Sequence, residues 1–406
     1  MARLQYGDNT LIEIEPTDGV TVEQYGMPRG EPLRDVTAAA MEAVEAPLDY
    51  PPLRQCFTPS DNMAIALDHA VPHAPEAVAA VVGAAIEAKI DPAYITILRT
   101  EADVQSGIED PRSALPPDLR DRVRLLTHDP TDQNSLAYLA ATDAGHRVML
   151  NRTLHDADIV IPIGCIYPRD AAGYYGVHTG VFPTFSDLPT LERFRAFGSL
   201  SGAGDYRRGL IDDVTKVGWL LGIQFTVQVI PSDGFEAQHI VAGHPDAVQQ
   251  RGDELYAQVW NGTRQGPRTS LVIAAVSGRG RQTWQGFGRA LDNARRLVAE
   301  NGAIAICCDL SAAPGPALQR MVGARSRQEA LQEIRAARPV DALPAAQLAR
   351  ALDDVTVYLL SRLDPEMVED LEMVPIEKTD ELQRLTRRHG TCSVLNNATC
   401  AVVPMD

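Results

Sequence analysis

The stretch that decides the fold is residues 151–183, which read NRTLHDADIVIPIGCIYPRDAAGYYGVHTGVFP. Its apolar run Ala157–Ile163 has the length and composition of a buried strand, and Gly164 breaks that run. The loop that follows carries Arg169, Asp170 and a cluster of glycines and tyrosines. Ligands of open α/β sheets bind beyond the carboxyl ends of the strands. The stretch therefore predicts a strand of a parallel sheet that is followed by a ligand-binding loop.

The residues before this stretch alternate between strand and helix patterns. A short apolar run ends in the carboxylate of Asp68, an alanine-rich segment of helix length follows it, and Asp91-Pro92 ends that segment. Such alternation is typical of βαβ units and of a doubly wound parallel sheet. The predicted strands are Asn62–Asp68, Tyr94–Leu98 and Arg122–Thr127, and the predicted helices are Glu76–Lys89 and a short one within Gln133–Ala141.

The residues after the stretch predict a β-hairpin, a helix, a linker and then a second α/β unit. The hairpin comprises Gly218–Ile230 and Ala237–Ala242, joined by a turn at Asp233-Gly234. Gly262–Pro267 is rich in residues that break secondary structure, so it is the predicted linker. The remaining predicted strands are Ser270–Val276, Ala303–Cys308 and Val355–Leu360, and the remaining predicted helices are Ala247–Trp260, Gln285–Glu300, Gln328–Arg338, Ala345–Asp353 and Thr379–His389.

Together these patterns predict two α/β domains with parallel or mixed sheets and an intervening cleft. A chain of 406 residues is longer than one hydrophobic core ordinarily supports. The predicted boundary places residues 1–265 in an N-terminal α/β domain and residues 266–406 in a C-terminal α/β domain. Within the first domain, residues 3–22 predict a hairpin with a Thr-Asp-Gly turn at 17–19.

Charge and composition exclude several classes of protein. The net charge of −17 argues against nucleic-acid binding, which needs a basic surface. The apolar runs are of strand length, so no membrane span or membrane partner is expected. The six cysteines have no CxxC spacing and the N-terminal residues lack the apolar core of a signal peptide, so we expect reduced thiols. The expectation is a soluble cytoplasmic protein, and an oligomer is compatible with the sequence.

Three polar side chains follow the first strand of the predicted sheet: Asp68, His69 and His73. Imidazoles and a carboxylate at the end of a strand can face a cleft, where they act as bases or metal ligands. The alternative is that Asp68 caps a turn and that the histidines are solvent-facing loop residues. The spacing alone favours this second interpretation.

The order of the motifs resembles that of the nickel-pincer-nucleotide-dependent lactate racemase family. Asp68 and Pro72 match the first and last residues of the family motif Asp-x-Thr-Arg-Pro, and Val71 replaces its substrate-binding arginine. The resemblance spans nearly the whole chain and implies a fold of two α/β domains with a cleft between them. Further matching segments follow in the family's order: His128-Asp129, Tyr138-Leu139, Asn151-Arg152 and residues 283–294 (TWQGFGRALDNA), with Arg289 in the position of a lysine.

The residues that carry the family's chemistry are substituted in this sequence. The family motif Ala-Thr-Gly-x-His-Arg corresponds to residues 97–107 (ILRTEADVQSG), where Asp103 is the nearest titratable group. Arg169 stands in place of the second acid/base histidine, and Thr179 in place of the lysine that anchors the pyridinium nucleotide covalently. A threonine cannot form the thioamide that a primary amine forms, so any pincer nucleotide is expected to bind non-covalently. Residues 191–197 (LERFRAF) lack the family's nickel-coordinating histidine.

The resemblance implies a replacement residue set for each role. The implied acid/base residues are Asp68, Asp103, Arg169 and His178; the implied cofactor-binding residues are Gly173, Gly176, Thr179, Gln285 and Arg289; the implied metal ligands are His69, His73 and His178.

The loop Ser277-Gly-Arg-Gly280 is a separate candidate. It either binds an anion on its backbone amides or forms a plain tight turn.

Two functions follow from the resemblance. The first is a divergent racemase or epimerase of 2-hydroxy acids that holds the nickel-pincer nucleotide non-covalently. The alternative is a catalytically inactive or repurposed family member that binds a nucleotide or a small carboxylate in the interdomain cleft, with Arg169 and Arg289 contacting the anion. A third, a different enzyme on the same scaffold without nickel, also remains open. In each case the partner is a small molecule.

Overall fold

The computed structural model describes residues 2–15, 20–196, 204–260 and 266–403. The turn predicted at 17–19 and most of the linker predicted at 262–267 lie outside these ranges. The strands are β1 (Ala2–Tyr6), β2 (Thr10–Ile14), β3 (Thr21–Tyr25), β4 (Met63–Leu67), β5 (Ile95–Thr100), β6 (Arg124–His128), β7 (Leu136–Ala141), β8 (Arg147–Asn151), β9 (Ile159–Cys165), β10 (Thr226–Pro231), β11 (Ala237–Gly243), β12 (Thr269–Ala275), β13 (Val298–Cys307), β14 (Thr356–Leu360), β15 (Val374–Ile376) and β16 (Thr391–Leu395). The helices are α1 (Val36–Glu45), α2 (Ala74–Glu87), α3 (Glu101–Gln105), α4 (Pro117–Arg120), α5 (Arg152–His155), α6 (Leu188–Phe194), α7 (Asp205–Leu220), α8 (Pro245–Trp260), α9 (Trp284–Arg295), α10 (Pro316–Met321), α11 (Arg327–Ala337), α12 (Ala342–Asp354), α13 (Pro365–Asp370) and α14 (Thr379–Arg388).

The first sheet has six strands in the order β11-β10-β9-β4-β5-β6. Five of them run parallel, and β11 pairs antiparallel with β10. Strands β4 (MAIAL) and β9 (IVIPIGC) are almost wholly buried and apolar, as expected of central strands covered on both faces. The carboxyl ends of β4, β5, β6, β9 and β10 therefore meet along one edge of the sheet.

The second sheet has the order β15-β14-β13-β12-β16-β3, and all six strands are parallel. Helices α9 to α12 pack their apolar faces on one side of it. The sequence prediction of an α/β protein with parallel and mixed sheets is confirmed.

The first strands of the chain belong to the second sheet. Strand β3 pairs with β16, with Thr21 opposite Thr391. The hairpin β1–β2 packs its apolar side chains against Leu271 of β12. Strand β3 therefore pairs in the second sheet although residues 1–265 are predicted to form the N-terminal domain, because a local strand pattern does not reveal which sheet a strand joins. The predicted division between the two units stays a prediction.

The short helix predicted within Gln133–Ala141 is wrong. Residues 136–141 form β7, which pairs antiparallel with β8. The chain reverses through a turn in which the amide of Gly145 donates to the carbonyl of Thr142, and Gly145 has a φ of +79°. This turn brings residues 136–141 alongside β8. Strand pairing with β8 therefore outweighs the weak helical spacing of Leu136 and Leu139.

The hairpin predicted from Gly218 onward begins later than expected. Gly218 lies in α7, because Leu210, Val214 and Val217 recur on one buried helix face. Strand β10 starts at Thr226 and pairs with β11, so the hairpin itself is confirmed. The other predicted strands and helices match the structure to within a few residues at most of their ends.

Two further properties concern the whole described chain. All six cysteines are free thiols, in agreement with the predicted absence of disulfides. In the part of the chain that the structure describes, no helix is both long and apolar enough to cross a membrane.

Candidate functional site

The loops that follow β4 and β5 bring Asp68, His69 and Asp103 together. The amide of His69 donates to Asp68 Oδ1 at 2.8 Å, and the Thr184 hydroxyl lies 3.3 Å from the same oxygen. Burial raises the pKa of Asp68 above its ordinary value, which favours the protonated carboxyl. A methyl group at Gly180 would lie 2.9 Å from the Asp68 β-carbon, so only glycine fits against this carboxyl.

His69 and Asp103 form a hydrogen-bonded pair across the two loops. His69 Nδ1 lies 2.7 Å from Asp103 Oδ1. The Ala70 amide donates to that same oxygen at 3.1 Å, and the Thr100 hydroxyl donates to Asp103 Oδ2 at 3.0 Å. Asp103 is 4% exposed, so this arrangement fixes a buried carboxylate. His69 Nε2 is buried and has no hydrogen-bond partner among the described residues. The structure thus assigns a partner to each residue that the sequence could place only in a loop.

The three histidines proposed as metal ligands do not form one set. His73 Nε2 is 2.9 Å from Glu236, and its Nδ1 is 3.4 Å from Glu76. His69 is paired with Asp103. Within the described ranges no group of three His, Cys, Asp or Glu side chains is placed to hold a metal ion. The predicted metal set is corrected, because nearness along the loops did not bring the imidazoles to a common point.

His178 packs against helix α7. The Gly218 α-carbon faces its ring so closely that a β-carbon there would lie 2.6 Å from the ring. Burial lowers the pKa of His178 to about 4, partly opposed by the nearby Asp246. Its Nδ1 is buried without a partner in the described part of the chain. The residue is a neutral, buried ring at neutral pH, and its acid/base role stays a prediction.

Hydrogen bonds within the loop shape the segment between β9 and α6. The Thr179 hydroxyl donates to the Gly176 carbonyl at 2.7 Å and accepts from the Tyr175 amide at 2.8 Å. Gly173 and Gly176 have φ values of +79° and +108°, which favour glycine. These predicted cofactor-binding residues therefore have a clear structural role in this loop.

Two residues that the sequence did not single out hold the loop from outside. Arg207 of α7 is 1% exposed, and its Nη2 lies within 3.0 Å of the carbonyl oxygens of Arg169, Ala171 and Tyr174. Gln249 of α8 accepts from the Val177 amide at 2.9 Å. Their role was not visible in the sequence because both are ordinary polar residues on helices remote along the chain.

Arg169 and Arg289 are also used in structural contacts. Arg169 is largely exposed and makes a 2.7 Å ion pair with Asp253 of α8, which accounts for its charge without a substrate. Arg289 of α9 donates from Nε to the Ala172 carbonyl at 2.9 Å, and its guanidinium lies over the Tyr167 ring. Gln285, on the first turns of α9, is half-buried. Arg289 therefore joins α9 of the second unit to the loop of the first.

A small cavity lies beside Arg289, where the loop meets the second unit. Its volume is about 40 Å³, and Asp170, Arg289 and Arg296 are among its lining residues. A larger cavity of about 410 Å³ lies on the first sheet beside Thr96, Asn151 and Arg152, and none of the predicted site residues lines it. The cavity beside Arg289 is well below the volume of ordinary ligand pockets.

Comparison with known proteins gives three matches to report. Residues 6–197 match the family described as lactate racemase N-terminal domain. The structure matches the lactate racemase apoprotein from Thermoanaerobacterium thermosaccharolyticum with a TM-score of 0.78 and 16% identity, over 99% of both chains. It also matches a structural-genomics crystal structure from Thermotoga maritima with a TM-score of 0.60 and 12% identity, over 87% of this chain and 94% of that one. A search of curated proteins finds no match.

The fold and the polar sheet edge define the class: an α/β protein with two large sheets and a loop-built site at the carboxyl ends of parallel strands. Within that class, the N-terminal part of the chain, residues 6–197, matches the lactate racemase N-terminal domain. The whole chain shares its fold with a lactate racemase apoprotein.

The resemblance implies a nickel-pincer nucleotide, and the described residues do not fit that group. Thr179 occupies the position of the anchoring lysine, and its hydroxyl is committed to two loop hydrogen bonds. A pincer ligand leaves one position on nickel for a protein donor, and residues 191–197, where the family has that histidine, contain none. The covalent anchoring and histidine ligation of the family therefore have no counterpart among these residues.

Proposed function

We propose that this protein is an enzyme of the lactate racemase family that binds a small hydroxy acid and moves a proton with His69, independently of a tethered nickel-pincer nucleotide. The observation that supports the proposal is the 2.7 Å contact between His69 Nδ1 and the buried Asp103 carboxylate. The substrate class is taken from the lactate racemase family. The His69–Asp103 pair indicates the reaction type, which is proton transfer at the carbon next to a carboxylate.

The pair has the chemistry of an oriented general base. A carboxylate that accepts the Nδ1 proton of a histidine fixes the tautomer whose lone pair is on Nε2. Asp103 is in turn held by Ala70 and Thr100, so the His69 ring is oriented through a rigid contact. Nε2 has no protein partner in the described part of the chain, which leaves it available for a substrate proton. Asp103 is a positioning residue in this scheme.

Asp68 supplies the complementary acid. Its raised pKa favours a protonated carboxyl at pH values where an ordinary aspartate is ionised. Asp68 and His69 are adjacent in the chain, and their environments differ in the way that separates an acid from a base. On this proposal the base removes a proton from the substrate carbon and the acid returns one.

A second candidate is a binding protein without catalysis. The small cavity favours it, since its volume suits a small anion and Arg289 and Arg296 line it, beside Asp170 and Asp292. In that case the protein would bind an anion at the interdomain loop and exchange no substrate proton.

Proton exchange in D₂O tests the proposal. The protein, expressed without added nickel, is incubated with lactate and other small 2-hydroxy acids, and loss of the C2 proton signal is followed by ¹H NMR. The expected result is enzyme-dependent exchange that His69→Gln abolishes. His73→Gln is the matched control, because His73 is a histidine of the same loop that is paired with glutamates. It should retain the exchange.

Three outcomes would overturn the proposal. One is exchange that is equal in His69→Gln and the wild type. Another is no exchange with any of the acids although calorimetry detects binding, which favours the binding protein. The third is activity that appears only in protein made in cells that produce the pincer nucleotide, with nickel copurifying in stoichiometric amount.

A further inference from the structure

Arg281, four residues before the predicted cofactor residue Gln285, is a buried cation at the junction of the two units. It follows the loop Ser277-Gly-Arg-Gly280 and is 6% exposed. Its Nη1 donates to the Gly234 carbonyl at 2.7 Å, and its guanidinium lies over the Phe235 ring. Its Nε and Nη2 are both buried and have no hydrogen-bond partner that meets ordinary geometry among the described residues.

The unpartnered nitrogens are the two that bind a carboxylate side-on. Nε and Nη2 form one edge of the guanidinium, and this edge matches the two oxygens of a carboxylate. Arg362 uses this edge side-on in this protein: its Nε lies 3.1 Å from Asp309 Oδ1 and its Nη2 lies 3.1 Å from Asp309 Oδ2. Arg169 uses the same edge on a single oxygen, with Nε and Nη2 both 2.7 Å from Asp253 Oδ2.

The neighbours of Arg281 do not neutralise its charge. The titratable groups that act most strongly on its charge are Cys400, Tyr167 and Cys165, and the Tyr167 hydroxyl also approaches the guanidinium. Burial raises the pKa of both Cys165 and Tyr167, so they are neutral near pH 7. No carboxylate forms an ion pair with Arg281 within the described ranges. A buried cation without a counter-charge is costly, and a bound anion would remove that cost.

The backbone of the preceding loop does not itself bind an anion. The Gly278 amide donates to the Gly7 carbonyl at 2.8 Å, and the Arg281 amide donates to the Gly278 carbonyl at 3.1 Å. A β-carbon at Gly280 would lie 2.7 Å from the β-carbon of Ala70, so the loop packs directly against the residue after His69. The loop therefore acts as a tight turn that delivers the Arg281 side chain to the neighbourhood of the His69 loop.

We infer that Arg281 is an anion-binding residue that takes the carboxylate of a small organic acid on its Nε–Nη2 edge. The inference rests on the proposed function for the identity of the acid, a 2-hydroxy acid such as lactate. The site itself is defined by the buried, unpaired edge. The side chain binds the substrate in this scheme and transfers no proton.

Binding of acetate and L-lactate, measured by isothermal titration calorimetry in a chloride-free buffer, tests the inference. Arg281→Met, which keeps the apolar length of the side chain and removes the charge, should weaken binding at least about tenfold. The matched control is Arg279→Gln in the same loop, because Arg279 is exposed and paired with Asp8. It should bind like the wild type.

Thermal unfolding of the same variants separates an anion site from a structural cation. Without added acid, Arg281→Met should melt at the same temperature as the wild type or higher, because it removes an uncompensated charge. With saturating lactate, only the wild type and Arg279→Gln should gain melting temperature. If Arg281→Met does not fold, Arg281→Lys replaces it: the charge is kept, the two-nitrogen edge is lost, and weakened binding is expected.

Unchanged lactate affinity in the folded Arg281 variants would overturn the inference, as would a wild type that binds neither acid. The proton-exchange assay tests the proposed function separately from this binding measurement. His69→Gln should bind lactate normally while exchange is lost. A wild type that binds through Arg281 and exchanges no proton contradicts the catalytic role of His69 and supports the anion site.

Discussion

Protonation of His178 is expected to destabilise the protein as the pH falls from neutrality. Burial against α7 lowers the pKa of its ring to about 4, from an ordinary value of 6.5. The unfolded chain therefore binds this proton at a higher pH than the native state does. The stabilisation is complete above the unfolded pKa and declines as the pH falls through 6.5 toward 4. At about 1.4 kcal/mol per pKa unit, the loss is about 2 kcal/mol between pH 7 and pH 5 and about 3 kcal/mol by pH 4.

The assay compares urea unfolding of the wild type and His178→Phe at several pH values, by tryptophan fluorescence and circular dichroism. Phenylalanine keeps a planar ring against Gly218 and removes the titrating nitrogens. Other buried histidines, such as His128, titrate in both proteins, so their effect cancels in the difference. The free energy of unfolding of the variant should rise by about 2 kcal/mol relative to the wild type between pH 7 and pH 5.

Between pH 7 and pH 8 the difference between the two proteins should change by only about 0.2 kcal/mol, since the native ring is neutral there and the unfolded ring is mostly so. A difference that is also constant from pH 7 down to pH 5 would refute the reasoning. It would mean that the His178 ring takes up its proton in the native state as readily as in the unfolded chain.

Three further outcomes are expected. Gly180→Ala should lower the free energy of unfolding by about 1–3 kcal/mol, because the new methyl group meets Asp68; Gly209→Ala, whose β-carbon meets no atom within 4 Å, should be neutral or stabilising in the same urea titration. Arg207→Met should cost about 1–3 kcal/mol and speed limited proteolysis of the loop, because three carbonyls lose their donor; unchanged cleavage would contradict its bracing role. Asp103→Asn should slow proton exchange by about 10²–10⁴-fold with little change in lactate affinity, and an equal loss of both would contradict a positioning role.

The sequence predicted the helices and strands whose identity follows from the pattern of one continuous segment. The runs that became β4 and β9 are continuous and apolar because both faces of these strands are buried, and length alone separates them from helices. Strand β7 was missed because its identity depends on pairing with β8 across a turn. The sheet joined by β3 could not be predicted either, since its partner strand lies at the other end of the chain.

The candidate site was predictable in location and less so in role. The sequence placed Asp68 at a strand end and Asp103 in the segment after the next strand, and the structure finds both beside His69, with Asp103 buried in α3. It could not show that Asp103 orients His69, because that contact joins residues 34 positions apart. Arg207 and Arg281 carried no local signal: what distinguishes them is burial, which the packing of remote segments creates.

The pairing of β3 with β16 has a consequence for how the chain is made. Thr21 leaves the ribosome roughly 370 residues before its partner Thr391 does. The strands of the first sheet lie between them in the sequence, so that sheet can fold while synthesis continues. The second sheet must wait for its last-made strand, and during that wait β3 presents an unpaired edge. During that interval the exposed edge of β3 could be covered by a nascent-chain chaperone or by early docking of the β1–β2 hairpin.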